Sequence, residues 1–121
     1  MRVKIVGDGV WGSALMSILK RDSHEVSFIN KELLKSKINV SQNTDVLILA
    51  VPAQSIRCVL EKISGLDGKI IVNSAKGVDG ETHKLPYEIV KEVIGEDCKY
   101  FSLIGPSFAQ EVKEKMPTVV N

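Results

Sequence analysis

The chain has 121 residues, of which 44% are hydrophobic and 26% charged, with a formal net charge of +1. That length suits one domain with its own core, and the composition excludes a disordered chain. The near-neutral charge and the lack of a basic stripe exclude a polyelectrolyte binder, so no nucleic acid partner is expected. The longest apolar runs are strand-length, which predicts no membrane span, and the N-terminus lacks the pattern of a signal peptide. A cytoplasmic protein is therefore expected. Cys58 and Cys98 show no metal spacing and are read as buried thiols; His24 and His83 are read as surface residues. No metal site is predicted.

In chain order, Arg2–Val6 reads as a buried strand and Trp11–Lys20 as an amphipathic helix with Ala14, Leu15, Ile18 and Leu19 at helical spacing. His24–Ile29 is the second strand. A helical turn is expected over 31–36 and a short third strand over 37–40. Asp45–Val51 is the most apolar segment and reads as a central strand stopped by Pro52. Gln54–Ile63 reads as a helix with Ile56, Val59, Leu60 and Ile63 inward, and Lys69–Asn73 as the next strand. A helix over Pro86–Val93 should end at Gly95. Lys99–Ile104 is a further strand, Ser107–Glu114 a helix, and 117–120 the start of another strand. This alternation predicts an α/β fold of the Rossmann type. It has a doubly wound, mostly parallel sheet with helices on both faces, in one domain over residues 1–121.

Gly7-Asp8-Gly9-Val10-Trp11-Gly12 fits G-x-G-x-x-G between the first strand and first helix. Gly7 permits the tight turn, Gly9 lets backbone approach a pyrophosphate, and Gly12 lets the helix pack against the strand. A glycine-rich turn with no ligand is the plain alternative. Trp11 is either a core anchor or a wall of the cofactor groove. After the second strand comes Asn30-Lys31-Glu32, with no acid at the tip for the ribose hydroxyl of NAD. Lys31 stands where the 2′-phosphate of NADP would be met, so NADP is preferred over NAD; a solvated Lys-Glu pair is the alternative.

Ligands of open α/β sheets sit beyond the carboxyl ends of the strands. Three segments follow those ends here: Val51-Pro52-Ala53-Gln54, Asn73-Ser74-Ala75-Lys76-Gly77 and Gly105-Pro106-Ser107-Phe108. Pro52 is counted with the cofactor side of this rim. Lys76 suits a phosphate or a polarised carbonyl oxygen, or is an ordinary surface lysine. Ser107 through Gln110 has the S-x-x-Q pattern of a capping box, and Gly105 leaves that helix start open to an anion.

These four motifs, with Gly-Pro-Ser-Phe-Ala-Gln-Glu-Val followed by Met-Pro-Thr, resemble the N-terminal domain of bacterial NAD(P)-dependent glycerol-3-phosphate dehydrogenase. The resemblance runs over the whole chain, from Met1 to Asn121. It implies interconversion of dihydroxyacetone phosphate and sn-glycerol 3-phosphate by hydride transfer, feeding phospholipid synthesis. It also implies cofactor contacts at Val10, Trp11, Lys31, Lys76 and Ala109, and substrate contacts at Lys76, Gly105 and Ser107. The segment between the second strand and Asp45 is shorter than is usual in that family, so a helix and a loop are expected to be lost or reduced. The family's helical second domain is read as absent, and its acid–base lysine is expected to lie beyond Asn121. No catalytic residue is therefore assigned among these 121 residues. Little or no dehydrogenase activity is expected of the chain alone, and uncovered apolar surface at the domain junction predicts self-association. The alternative is a stand-alone dinucleotide-binding module or partner subunit without chemistry. A ketopantoate reductase or 6-phosphogluconate dehydrogenase relative fits less well because of Gly-Pro-Ser-Phe-Ala.

Overall fold

The structure is a computed structural model that describes residues 1–74 and 82–103. The expected rhythm is present. Strand β1 (Arg2–Val6) leads into helix α1 (Val10–Arg21) and strand β2 (Glu25–Ile29). A 3₁₀ turn at Leu33–Lys35 precedes β3 (Ile38–Asn39) and β4 (Val46–Leu49). A second such turn at Ala53–Ser55 runs into α2 (Ile56–Glu61), followed by β5 (Ile63–Ser64), β6 (Ile70–Asn73), α3 (Pro86–Ile94) and β7 (Lys99–Ser102).

Five strands form one parallel sheet in the order β2-β1-β4-β6-β7. Hydrophobic side chains alternate across it into two cores. Val3, Ile5, Ile48 and Val72 pack with Leu15 and Ile18 of α1 on one face. Val6, Leu47, Leu49 and Ile71 pack with Ile56 and Leu60 of α2 and Ile89 and Val90 of α3 on the other. Helices thus flank both faces, as the alternation predicts. α2 and α3 are joined at the surface by Glu92, which accepts from Lys84 and pairs with Arg57 at 3.3 Å. Those two cations hold the Glu92 carboxyl below its ordinary range. At the C-terminus of α3, Gly95 has φ +121° and its N–H donates to Lys91 O at 3.0 Å, the glycine stop expected there.

Several expectations need correction. The helix expected over 54–63 is a 3₁₀ turn plus a six-residue helix ending at Glu61. Ile63 is buried as expected, but in a two-residue strand that pairs in parallel with Ile38–Asn39. The third strand therefore forms a separate small sheet with β5 rather than extending the main one. Asp45 lies just before β4, and its carboxylate is held by Arg2 at the start of β1. Cys98 is buried, but Cys58 is exposed; both thiols are free. The burial of Ile56, Val59 and Leu60 leaves Cys58 on the outer side of α2. His24 is half-buried with Nδ1 3.2 Å from the N-terminal amine, and His83 is exposed. The helix and strand expected after Gly105, up to the terminal Asn121, lie outside the described residues. Among the described residues no helix is long and apolar enough to cross a membrane.

The segment between β2 and β4 is the short connection expected from the sequence. It crosses the sheet as a strap, with Leu34, Ile38 and Val40 packed into the core beneath α2. Its far end is stitched to β5: Ile38 N–H donates to Lys62 O and Val40 N–H to Ser64 O, each at 2.9 Å. Gly65 is required there, because it has φ +84° and a Cβ would meet Ser41 N at 2.6 Å. The consequence for the sheet is that, among the described residues, β2 is its edge. The usual six-strand dinucleotide sheet runs 3-2-1-4-5-6, and the place of its strand 3 is not taken by any described strand.

Candidate functional site

Parallel pairing brings the carboxyl ends of β1, β2, β4, β6 and β7 to one edge. The ladder continues past the strand ends: Ala50 N–H donates to Val6 O at 2.8 Å, Ser74 N–H to Leu49 O at 2.9 Å, and Leu103 N–H to Asn73 O at 2.9 Å. Ser74 Oγ donates to the same Leu49 carbonyl at 2.7 Å. Gly7, Ala50, Ser74 and Leu103 therefore leave the sheet side by side, on the rim where the sequence places its candidate residues.

The glycine loop is built as its spacing demands. Gly7 has φ +106°, and a Cβ on it would lie 2.4 Å from Ala50 O. A Cβ on Gly12 would lie 2.0 Å from Gly7 O, so the first turn of α1 is pressed against the loop. Gly9 is different in kind: it has ordinary extended backbone and nothing within 4 Å of where a Cβ would stand. Two of the glycines are thus needed by the fold, and the third leaves space at the loop surface. Gly9 is the N-cap of α1, and its carbonyl accepts the first intrahelical bond from Ser13 N–H at 2.9 Å. The amides of Val10, Trp11 and Gly12 precede that bond and sit at the positive end of a twelve-residue helix.

No acidic residue stands in the first turn of α1, and Lys20 and Arg21 stand in the last, so the helix charges favour an anion at its start. Asp8 is the one acid within the loop and is exposed. Its carbonyl accepts from Ser13 Oγ at 3.3 Å. Val10 is 79% exposed, while Trp11 is half-buried against the core on the α1 face. Trp11 is therefore a core anchor that also borders the loop.

At the tip of β2, Asn30 takes the position where an acid would bind a ribose hydroxyl. Its Oδ1 accepts from Leu33 N–H at 3.0 Å, and its carbonyl accepts from Leu34 N–H at 3.2 Å. The residue therefore caps the turn. Glu32, the other candidate for that hydroxyl, pairs with Lys35 at 3.0 Å. Lys31 is exposed between them. Pro52 is exposed beyond β4, and its carbonyl opens the Ala53–Ser55 turn by accepting from Ser55 N–H at 2.9 Å.

The structure thus brings Gly7, Gly9, Val10, Trp11, Gly12, Lys31 and Pro52 to one rim. Lys76, Gly105, Ser107 and Ala109 lie outside the described residues. So does Asn121. The chain approaches the four candidates from Ser74 and Leu103, both on that rim. Leu33 follows Lys31 by two residues and is exposed. Among the described residues, no group of three His, Cys, Asp or Glu side chains is placed to hold a metal.

A family model described as NAD-dependent glycerol-3-phosphate dehydrogenase N-terminus matches residues 34–121. A glycerol-3-phosphate dehydrogenase (NAD(P)+) of Fusobacterium nucleatum is 31% identical over 98% of this chain and 44% of its own length. The enzyme of the same name from a Thermotoga species is 32% identical over 99% of this chain and 44% of its own length. The chain therefore spans less than half the length of these curated relatives. The Fusobacterium alignment extends over 148 positions, more than the 121 residues here, so that relative holds aligned-region residues with no counterpart in this chain. In fold, the chain is similar to the crystal structure of glycerol-3-phosphate dehydrogenase from Coxiella burnetii. The TM-score is 0.71 at 21% identity, over 97% of this chain and 45% of that one.

Proposed function

Because the chain belongs to the family of NAD-dependent glycerol-3-phosphate dehydrogenase N-termini, we propose that it is the dinucleotide-holding part of an oxidoreductase. That enzyme interconverts dihydroxyacetone phosphate and sn-glycerol 3-phosphate. The observation that carries the reading is the contrast between the three loop glycines. Gly7 and Gly12 are wedged against backbone, while Gly9 keeps open space at the N-terminus of α1. Packing alone explains the first two. A phosphate brought close to the Gly9 backbone and the first-turn amides explains the third.

In this reading the pyrophosphate lies over Gly9 and the start of α1. Lys31 meets the 2′-phosphate of the adenosine ribose, which makes NADP the preferred cofactor. The tip residue Asn30 carries no charge and accepts from Leu33 N–H, and Glu32 pairs with Lys35; both support that preference, because no carboxylate stands at the tip itself. When bound, the nicotinamide supplies the hydride acceptor or donor. Pro52 borders the cofactor, and Val10 and Trp11 flank the phosphates. Lys76 and Ala109 complete the cofactor contacts, and Lys76, Gly105 and Ser107 hold the phosphorylated three-carbon substrate. This second set follows the family pattern of residues beyond Ser74 and Leu103. The free thiols of Cys58 and Cys98 suit the reducing cytoplasm, where we place the activity.

Calorimetry of the chain with NADPH and NADH tests the proposal. Saturable binding of one molecule, tighter for NADPH, is expected; no heat with either cofactor overturns the dinucleotide reading.

A further inference from the structure

The adenosine end of the site poses a problem that the strand order makes visible. β2 is the edge of the sheet, so among the described residues no strand lies beyond it to form an outer wall of the groove. What stands at the tip of β2 is the turn that Asn30 caps. β1 and β2 pair in parallel with Val6 opposite Ile29, so Gly7 and Asn30 leave the sheet as neighbours. The two bonds to Asn30 close residues 30–34 into a turn at that tip. Within the turn the two leucines divide: Leu34 packs into the core, and Leu33 is 48% exposed.

A single exposed leucine is ordinary on a protein surface. This one is set apart by its position. It stands two residues after an exposed lysine, in a turn fixed at both ends, on the rim that also exposes Val10 to 79%. Lys35 holds the Glu32 carboxylate at 3.0 Å, so the acid between Lys31 and Leu33 is engaged within the turn. A cation two residues from an exposed apolar side chain matches a phosphorylated nucleoside, whose base offers an apolar face and whose ribose carries the charge.

We propose that Leu33 is the adenine contact of the dinucleotide site, acting with Lys31 at the ribose phosphate. This rests on the dinucleotide reading above and adds a residue that neither the glycine fingerprint nor the family pattern marks. In this arrangement the turn 30–35 borders the adenosine end, beyond which no described strand lies, and the nicotinamide half of the cofactor is indifferent to Leu33.

The test is calorimetry on the chain and on Leu33→Ser and Leu33→Met, with NADPH, adenosine 2′,5′-bisphosphate and reduced nicotinamide mononucleotide as titrants. Leu33 lies outside the core, and thermal melting confirms that the variants fold. Leu33→Ser is expected to weaken NADPH and the bisphosphate about 5–10-fold, as loss of a half-buried leucine contact should. It should leave the mononucleotide unchanged, and Leu33→Met should bind NADPH as the parent does. Equal NADPH affinity in parent and Leu33→Ser overturns the proposal while leaving the dinucleotide site standing. An equal loss for all three titrants also overturns it, because the effect is then not on the adenosine end. No binding of NADPH or NADH by the parent overturns the site itself.

Discussion

A Cβ placed on Gly12 would stand 2.0 Å from the carbonyl oxygen of Gly7. That separation is far inside van der Waals contact, and the atom met is backbone, which cannot step aside. Gly12→Ala is therefore expected to destabilise the chain by about 2–4 kcal/mol through overpacking and displacement of α1. Gly9→Ala meets nothing within 4 Å and has an extended backbone that alanine accepts. It should cost under about 1 kcal/mol of stability, the order of an N-cap change, while lowering dinucleotide affinity at least about tenfold because the methyl occupies the phosphate approach. Urea unfolding and calorimetry on both variants separate the two roles. If Gly9→Ala binds NADPH as the parent does, the open space has no phosphate in it.

Asp8 bears on the same loop with the opposite sign. It is exposed between Gly7 and Gly9, where a carboxylate repels a pyrophosphate held at the start of α1. Asp8→Asn is expected to tighten NADPH binding about 2–5-fold at low ionic strength, with the gain shrinking as salt screens the repulsion. Titrations in dilute buffer and in about 0.5 M salt check this. Weaker binding by Asp8→Asn would mean that the carboxylate helps to shape the loop instead.

The proposed function makes Lys31 the residue that separates the two cofactors. It is exposed, and the neighbouring Glu32 pairs with Lys35. Lys31→Ala should weaken NADPH about 5–20-fold and leave NADH nearly unchanged, the loss expected for one charge-assisted contact at a partly exposed phosphate. Parallel loss for both cofactors would remove Lys31 from the 2′-phosphate.

The contrast between Lys31 and Leu33 shows what the sequence makes legible. The strand, glycine loop and helix from Arg2 to Arg21 are local patterns, readable because each residue's role depends on neighbours a few positions away. Lys31 is readable for the same reason, by its distance from the end of β2. Leu33 and Leu34 are identical and adjacent. Which one packs inward is decided by the Asn30 cap and by the core beneath α2. The short strand Ile63–Ser64 is hidden for a related reason: its partner, Ile38–Asn39, lies far back in the chain, and nothing local distinguishes it from the end of a helix. The exposure of Cys58 is available from helical spacing, since Ile56, Val59 and Leu60 claim the inner face.

At the opposite edge of the sheet, Arg2 and Asp45 set a pH dependence that leaves the rim untouched. Arg2 donates to Asp45 through Nε at 3.3 Å, through a guanidinium nitrogen at 3.2 Å and through its backbone N–H at 2.8 Å. Asp45 N–H donates back to Arg2 O at 2.8 Å. These bonds, first the side chain and then the backbone of Arg2, hold the Asp45 carboxyl at about 2. In the unfolded chain it returns to about 3.9, so the unfolded state takes up the proton first as pH falls. The pair's contribution is complete above about pH 4 and is lost as pH drops towards 2. Asp45→Asn should therefore unfold more readily than the parent near neutral pH, and the gap should close towards pH 2. Glu92, also lowered, keeps a residual slope in the variant. Urea midpoints measured from neutral to strongly acid pH check this; a gap that stays constant across the range would mean that the pair stabilises through packing or geometry and not through its charge.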